Sequence, residues 1–414
     1  MSKPELVRDV DLDVHGIASG GDGIATDVDG RVVFVAGAIP GERVRASVVE
    51  ERSSFARAKL VEVLDAAPGR VSPPCPHVAE GCGGCGWQHI EPVAQRALKA
   101  TIVGEALRRI GHVSDHPLID LGPELLPFGY RTTVRGLVVA GRFAYRRGAS
   151  HDPVAAGGCL TAHPLVRDLI DNATFGRAKE VVLRAAIATG ERLAVVEPTA
   201  RGVEIAEDVT VIGRDELRRG ARVSVHEEVA GRTWRISARS FFQIRPDGAG
   251  ALVDAVRAAV GAHLGPAAAL VDLYSGVGLF AGALGEGGRA NTVMAVEGDR
   301  GSAADARANL ADLGDRLRVV RCDVARWRTG PADVVVADPS RAGLGRGVVA
   351  KIADTGAAAV ALVACDPASF ARDAGLLVRA GYSLDAVTLV DLFPETPHIE
   401  VVGAFVHPGS RVVP

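Results

Sequence analysis

The stretch ALVDLYSGVGLFAGALGE, residues 269–286, decides the fold of the C-terminal part of the chain. Its apolar opening predicts a β-strand, Gly276 and Gly278 predict a tight turn, and the second apolar run predicts a helix. Small residues at such a turn let a ligand approach the backbone amides at the helix start. A turn that needs glycine only for its own backbone would look the same, so the stretch alone does not identify a ligand.

Similar apolar runs follow at regular intervals and alternate with segments of helical spacing. They read TVMAVEGD (292–299), LRVVRCD (317–323), ADVVVADPS (332–340), AAVALVACDP (358–367) and LDAVTLVDLFP (384–394). Alternating strands and helices predict an α/β fold with a doubly wound, mostly parallel, Rossmann-like sheet. We assign this domain to residues 241–414.

Acidic residues at the ends of three of these strands indicate which ligand the turn binds. Glu297 ends the second strand, where a carboxylate suits a ribose diol, and both NAD and S-adenosylmethionine carry one. Asp323, at the end of the third strand, is placed to reach an adenine. Asp338 stands before proline after the fourth strand, and an acid-Pro motif there is typical of methyltransferases that act on a base. The combination favours S-adenosylmethionine as the cofactor.

The N-terminal part of the chain has a different texture. Residues 1–67 show short strands between Gly-Gly, Asp-Gly and Pro-Gly turns, which predict a small OB-like β-barrel. Residues 68–240 predict a central, mostly β domain. With 414 residues the chain is long enough for three such domains. The charged start and the lack of a long apolar window predict a cytoplasmic protein without a membrane partner, and no obligate protein partner is expected.

The formal net charge of −3 by itself argues against a nucleic-acid partner, but the charges are unevenly distributed along the chain. The segment FGYRTTVRGLVVAGRFAYRRG, residues 128–148, carries five arginines and four aromatic rings but no acid. Guanidinium groups for phosphates and rings for bases are typical of single-strand binding. A β-hairpin with a solvated arginine face would have the same composition.

Three of the six cysteines lie in the loop CPHVAEGCGGCGWQHI, residues 75–90. Cys75, Cys82 and Cys85 are spaced C-x6-C-x2-C, and Cys159 follows downstream. Four clustered cysteines in a cytoplasmic protein predict a metal centre. The spacing does not distinguish a tetrahedral zinc from a [4Fe-4S] cluster.

Cys365 and Glu400 are the candidate catalytic pair. Cys365 ends the fifth strand and precedes a helix, and Glu400 lies in TPHIEVV with His398 and Val402 on the same side of a short predicted strand. Carbon 5 of uracil attacks a methyl group only after a thiolate has added to carbon 6, and a base must then remove the C5 proton. A cysteine, a carboxylate and a methyl-donor pocket are what this reaction needs.

Taken together, the chain resembles the RNA (uracil-5-)-methyltransferase family along essentially its full length. GGDGIATDVDGRVVFVAGAIPGERV resembles a TRAM domain, an RNA-binding barrel, and SFFQIRP resembles the family's Phe-x-Gln motif. The resemblance implies Cys365 as nucleophile, Glu400 as base and a [4Fe-4S] cluster on Cys75, Cys82, Cys85 and Cys159. It also implies that the methyl donor is bound by Gln243, Tyr274, Glu297, Asp323 and Asp338. TRAM domain and cluster cysteines together favour 23S ribosomal RNA over transfer RNA as substrate.

Two positions depart from the family pattern. Leu279 stands where asparagine is frequent, and Asp366 follows the thiol in ACDP where the family commonly has Ser-Cys-Asn-Pro. We expect Asp366 to raise the pKa of the Cys365 thiol by like-charge repulsion. A cytosine-5 RNA methyltransferase is a second interpretation, and a non-catalytic RNA-binding protein with a degenerate donor site is a third.

Overall fold

The N-terminal strands close into a five-stranded barrel. We describe the fold from a computed structural model, which describes residues 8–408. The strand order is β1-β2-β3-β5-β4, and side chains that alternate along the strands, such as Leu12, Val33 and Val44, fill the barrel interior. The strands are β1 (Arg8–Ile17), β2 (Gly23–Thr26), β3 (Val32–Ala36), β4 (Arg43–Glu51) and β5 (Phe55–Asp65). The predicted small barrel is confirmed.

A connecting segment links the barrel to the rest of the chain. The cysteine loop leads into α1 (Pro92–Ala106), which begins with proline, a residue suited to a first helical turn. A short strand, β6 (Ile119–Asp120), then joins the edge of the C-terminal sheet by pairing in parallel with Val387 and Thr388. This segment therefore packs mainly on the C-terminal domain.

The central domain is a six-stranded sheet with one covered face. Its order is β12-β11-β10-β7-β8-β9, and α2 (Pro164–Asn172) packs on one face over a core that includes Val181 and Leu183. The strands are β7 (Thr133–Val139), β8 (Arg142–Arg146), β9 (Pro153–Ala155), β10 (Glu180–Ala185), β11 (Arg192–Glu197) and β12 (Val209–Gly213). A short helix α3 (Arg214–Arg218) and a hairpin of β13 (Ser224–Val229) and β14 (Arg232–Ser237) follow.

The C-terminal domain is an eight-stranded sheet between two layers of helices. Its order is β17-β16-β15-β18-β19-β21-β20-β6, and of these strands β21 alone, within residues 8–408, runs against the others. The strands are β15 (Gly265–Leu273), β16 (Ala290–Glu297), β17 (Leu317–Arg321), β18 (Val334–Ala337), β19 (Ala359–Ala364), β20 (Ser383–Leu389) and β21 (Val401–Val406). The helices are α4 (Pro246–Val260), α5 (Leu279–Gly285), α6 (Arg300–Asn309), α7 (Gly345–Asp354) and α8 (Pro367–Arg379).

Alternate residues of each strand enter two separate cores, one on either face of this sheet. In β18, Val334 and Val336 belong to one core and Val335 to the other. The predicted doubly wound, mostly parallel sheet is confirmed. The expected divisions after residues 67 and 240 fall just beyond β5 and β14 and stay predictions. No helix in the described range is long and apolar enough to cross a membrane.

Candidate active site

One cavity of about 510 Å³ opens at the carboxyl edge of the C-terminal sheet. Tyr274 follows β15, Asp338 follows β18 and Cys365 follows β19, so three parallel strands deliver these side chains to the same edge. Glu400 reaches the same edge because β21, which it precedes, runs in the opposite direction. Gln243 comes from the segment before α4. The fold therefore brings five of the predicted site residues to one cavity.

The glycine turn between β15 and α5 forms one wall of this cavity. Tyr274, Gly276 and Gly278 have φ angles of 62°, 56° and 95°, in the left-handed region. A Cβ on Gly278 would lie 2.9 Å from the Leu310 side chain, so both the backbone and the packing require glycine there. The buried Asp272 carboxylate accepts a 2.8 Å hydrogen bond from the Ala281 amide and fixes the start of the helix.

Glu297 and Asp323 lie beside the cavity and are not among its lining residues. Glu297 accepts hydrogen bonds from the Gly276 and Asp299 amides, at 2.8 and 2.6 Å, so it supports the glycine turn directly. Asp323 is exposed and accepts a 2.8 Å bond from the Ala325 amide. After burial, the charge of Asp323 is the next cause of the raised pKa of Tyr274, which places the two side chains near each other.

The Cys365 thiol is held in its neutral form by its surroundings. Burial raises its pKa to about 11, and the nearby Glu400 and Asp338 carboxyls act in the same direction, whereas Arg341 opposes them. Asp366, which the sequence predicts to raise this pKa, is not one of the main contributors. Its carboxylate instead accepts a 2.7 Å hydrogen bond from the Ser369 amide and caps α8.

Buried carboxyl groups surround the thiol. Burial raises the pKa of Asp338, and burial together with Asp338 raises the pKa of Glu400 well above its ordinary value. Asp272 behind them has a pKa of about 8, again mainly through burial. Carboxyls with raised pKa values hold a proton more readily than exposed acids and are suited to proton transfer. A cationic ligand would favour their ionised forms.

Glu400 lies in a loop and not in the short strand that the sequence predicts. β21 begins at the next residue, and the Val390 amide donates a 2.9 Å hydrogen bond to the Glu400 carbonyl. The loop before it is anchored from outside the C-terminal domain. The Lys99 ammonium of α1, fully buried, donates to the Asp391 carboxylate at 2.6 Å and to the Phe393 carbonyl at 3.0 Å.

Sequence reasoning assigned no role to several residues that line the cavity. Among them, Arg341 is the charged residue. It stands three residues after Asp338 in DPSRAG, and only the folded turn brings both side chains to the cavity. His398 has a pKa lowered to about 4, first by burial and then by Arg341 and other cations, so it is neutral. Phe241 is 66% exposed at the rim of the cavity. Its place in SFFQIRP, two residues before Gln243, could have indicated from the sequence that Phe241 lies near the donor site.

The four predicted metal-binding cysteines line a second, smaller cavity in the central domain. They are Cys75, Cys82, Cys85 and Cys159, and Arg131, Tyr145 and Thr161 also line it. The Cys159 thiol donates to the Tyr145 hydroxyl at 3.7 Å, and burial raises the pKa of both Cys82 and Cys85. In this arrangement, no group of three or more His, Cys, Asp or Glu side chains among residues 8–408 has the geometry to hold a metal ion.

The arginine and aromatic segment 128–148 does not form an exposed stacking surface. Tyr130 and Phe143 are 4% exposed and contribute to the interior. Arg131 donates a 2.8 Å hydrogen bond to the Gly84 carbonyl of the cysteine loop. Phe143 faces inward from β8, and Tyr130, which precedes β7, is buried with its hydroxyl bonded to the Pro394 carbonyl. The interpretation as a base-stacking platform is therefore wrong for these two of the four rings. Arg135 and Arg146 remain partly exposed on the opposite face.

The glycine turn, the acids at the strand ends and the acid-Pro motif, set on a doubly wound sheet, define an S-adenosylmethionine-dependent methyltransferase. Comparisons agree with this class. The TRAM domain family matches residues 5–61. An uncharacterized RNA methyltransferase of Streptomyces avermitilis is 36% identical, covering 98% of this chain and 99% of the relative. The 23S rRNA (uracil(1939)-C(5))-methyltransferase RlmD of Alkalilimnicola ehrlichii is 31% identical, covering 95% and 96%.

A solved structure shows the same fold. The Pyrococcus abyssi tRNA (uracil-54, C5)-methyltransferase, in complex with S-adenosyl-L-homocysteine, superposes with a TM-score of 0.71 at 20% identity. The match covers 96% of this chain and 99% of that one. From these full-length similarities, the chain belongs to the RNA (uracil-5-)-methyltransferase family.

Proposed function

We propose that this enzyme transfers a methyl group from S-adenosylmethionine to carbon 5 of a uridine in 23S ribosomal RNA. The observation that supports this most is the shared cavity: Cys365, Glu400 and the glycine turn all line it. A thiol nucleophile, a carboxyl base and a donor pocket therefore lie within one enclosed space, as methylation at carbon 5 requires.

In the proposed reaction, the Cys365 thiolate adds to carbon 6 of the uracil and makes carbon 5 electron-rich. Carbon 5 then bonds to the methyl group as the bond between that methyl and the donor's sulfonium sulfur breaks, and S-adenosylhomocysteine is released. Glu400, in its ionised form, removes the C5 proton, and the electron pair of that C–H bond re-forms the C5–C6 double bond as the thiolate leaves. The raised pKa of the Glu400 carboxyl makes it a stronger base than an exposed glutamate.

The remaining predicted site residues hold the donor in this proposal. Gln243, Tyr274 and Asp338 line the cavity, where they would contact the donor. Glu297 takes the ribose side from its place behind the Gly276 amide, and Asp323 takes the adenine side. The buried Asp338 carboxyl, with its raised pKa, is matched to a positively charged ligand.

Ribosomal RNA is the proposed substrate because the TRAM domain and the four cysteines occur together, and because the Alkalilimnicola relative carries that name. A uridine in transfer RNA is the second candidate. Parallel assays on a 23S rRNA fragment and on unmodified transfer RNA, with the methylated nucleoside measured by mass spectrometry, separate them. Methylation of transfer RNA alone would refute the ribosomal assignment. We place the reaction in the cytoplasm.

A [4Fe-4S] cluster on Cys75, Cys82, Cys85 and Cys159 is part of the proposal. Its support is that these four thiols line one cavity in the central domain. No step of the methyl transfer needs an electron, so the cluster would have a structural role. Anaerobically purified protein is expected to be brown with about four irons per chain. Stoichiometric zinc, or colourless protein without metal, would refute the cluster; Cys322→Ser is the control that keeps the iron.

A 5-fluorouridine-containing 23S rRNA fragment tests the mechanism. Fluorine cannot leave as a proton does, so the cysteine adduct accumulates as a complex that survives denaturation. Cys365→Ala is expected to abolish this complex, whereas Cys322→Ala, at a thiol outside the cavity, keeps it. Glu400→Gln is expected to accumulate an adduct even with ordinary RNA. An adduct formed by the Cys365→Ala variant would show that the nucleophile is another residue.

A further inference from the structure

The second face of the central sheet is only partly covered, by α3 and by the β13–β14 hairpin, and its open part leads to the candidate active site. A groove of about 370 Å³ lies there, lined by residues of β7, β10 and β11, by Arg214 and Leu217 of α3 and by residues 238–241. Phe241 lines both this groove and the catalytic cavity. The groove and the cavity are therefore continuous at one aromatic side chain.

Alternation along β10 produces this face. The Val181 and Leu183 side chains enter the covered core, whereas Glu180, Val182 and Arg184 alternate with them and line the groove, which Val181 also borders. The walls of the groove combine charged side chains with apolar ones such as Val182, Val195 and Leu217.

Positive charge exceeds negative charge around the groove, although the whole chain carries a formal charge of −3. Arg135 and Arg146 share Glu180, and Arg214 and Arg218 share Glu197. Each group of two arginines and one glutamate keeps one positive charge. Glu180 and Glu197 are the acids that line the groove in the described part of the chain.

Arg239 adds a positive charge at the end of the groove nearest the cavity. It is exposed, and within residues 8–408 it has no hydrogen-bond or ion-pair partner. Its backbone is held in place from below by the buried Arg184, which donates to the Ser237 and Ser240 carbonyls at 3.1 and 2.9 Å. Ser240 also donates to the buried Asp305 carboxylate at 2.6 Å. An unpaired guanidinium on a fixed backbone is suited to a phosphate.

We propose that this groove binds the single-stranded RNA segment that flanks the target uridine, with Arg239 contacting its backbone phosphate next to the cavity. The inference rests on the proposed function, since it takes RNA as the substrate. A groove with excess arginine, bounded by an exposed ring, fits a single strand better than a duplex, because unstacked bases can pack on the ring. A target base that leaves its stack also needs its neighbours held.

The test compares Arg239→Ala with Arg379→Ala, which removes an exposed arginine at the end of α8, outside the groove. Binding of a fluorescein-labelled 23S rRNA fragment is measured by anisotropy over a salt series. Arg239→Ala is expected to weaken binding by about threefold to tenfold and to reduce the slope of log K against log[salt] by about 1. Arg379→Ala is expected to leave both unchanged.

Steady-state methylation gives a second readout. Arg239 does not line the catalytic cavity, so KM for the RNA is expected to rise while kcat is retained. Unchanged RNA affinity and salt slope in Arg239→Ala, or equal changes in Arg379→Ala, would overturn the proposal. Because the binding assay needs no chemistry, protein that binds RNA through Arg239 but methylates none would refute the proposed function alone.

Discussion

The pH dependence of Cys365 alkylation follows from the position of its thiol. With a pKa of about 11, only about 0.1% of the thiol is ionised at pH 8, against about a quarter of a free cysteine. The greater nucleophilicity of a more basic thiolate recovers about tenfold, so iodoacetamide should react roughly tenfold to a hundredfold more slowly than with a free thiol. The rate should rise about tenfold per pH unit from 7 to 10. Mass spectrometry of the peptide that contains Cys365 measures it.

Matched variants test the causes of this pKa. Glu400→Gln removes one neighbouring carboxyl, so alkylation at pH 8 should become several-fold faster while burial keeps the pKa above that of a free thiol. Asp366→Asn should leave the profile unchanged, since this carboxylate caps α8. A rate that already levels off below pH 9 in the wild type, or an equal response to Asp366→Asn, would contradict the reasoning.

Three further changes probe the packing behind the site. Lys99→Met leaves the buried Asp391 carboxylate without its cation and should lower the free energy of unfolding by about 3–5 kcal/mol, measured by denaturant titration. Adding Asp391→Leu to this variant should partly restore the stability. Asp272 has a pKa of about 8 against an ordinary 3.8, so the folded state retains a proton that the unfolded chain loses, and stability falls as pH rises from about 4 to 8. Asp272→Asn should flatten this decline in thermal melts. Gly248→Ala should destabilise by about 1–3 kcal/mol in the same melts, because its methyl group would overlap the buried Leu392 side chain.

The sheet and the positions at its carboxyl edge were predictable from the sequence. Runs of apolar residues fix strands that are buried on both faces, and parallel strands bring their following residues together whatever the loops do. Tyr274, Asp338 and Cys365 reach one cavity for that reason. The tight turn at Gly278 was also predictable from its glycine. The structure explains why glycine is needed there, because the positive φ and the contact with Leu310 leave no room for a side chain.

Other features depend on contacts between residues distant in sequence. Asp366 is adjacent to Cys365 in the chain, but its carboxylate accepts a hydrogen bond from the Ser369 amide at the start of α8. Adjacency in sequence was therefore a poor guide to which charges act on the thiol. The composition around Tyr130 and Phe143 predicted a binding surface, yet both rings are buried by packing with residues distant in the sequence. No sequence motif marks Arg239, because its proposed role depends on the groove beside it, which only the folded sheet creates.

The loop before Glu400 explains why residues outside the C-terminal domain bear on the chemistry. The Trp87 amide donates to the Glu395 carbonyl at 2.9 Å, and the Tyr130 hydroxyl donates to the Pro394 carbonyl at 3.1 Å. The Trp87 indole in turn donates to the Gly21 carbonyl of the barrel at 3.3 Å. Trp87 stands two residues after Cys85, so the cysteine loop is tied to the loop before Glu400 through a single residue. Hydrogen bonds from the barrel and from the cysteine loop therefore help to fix the backbone that carries Glu400, whether or not the cysteines bind a metal.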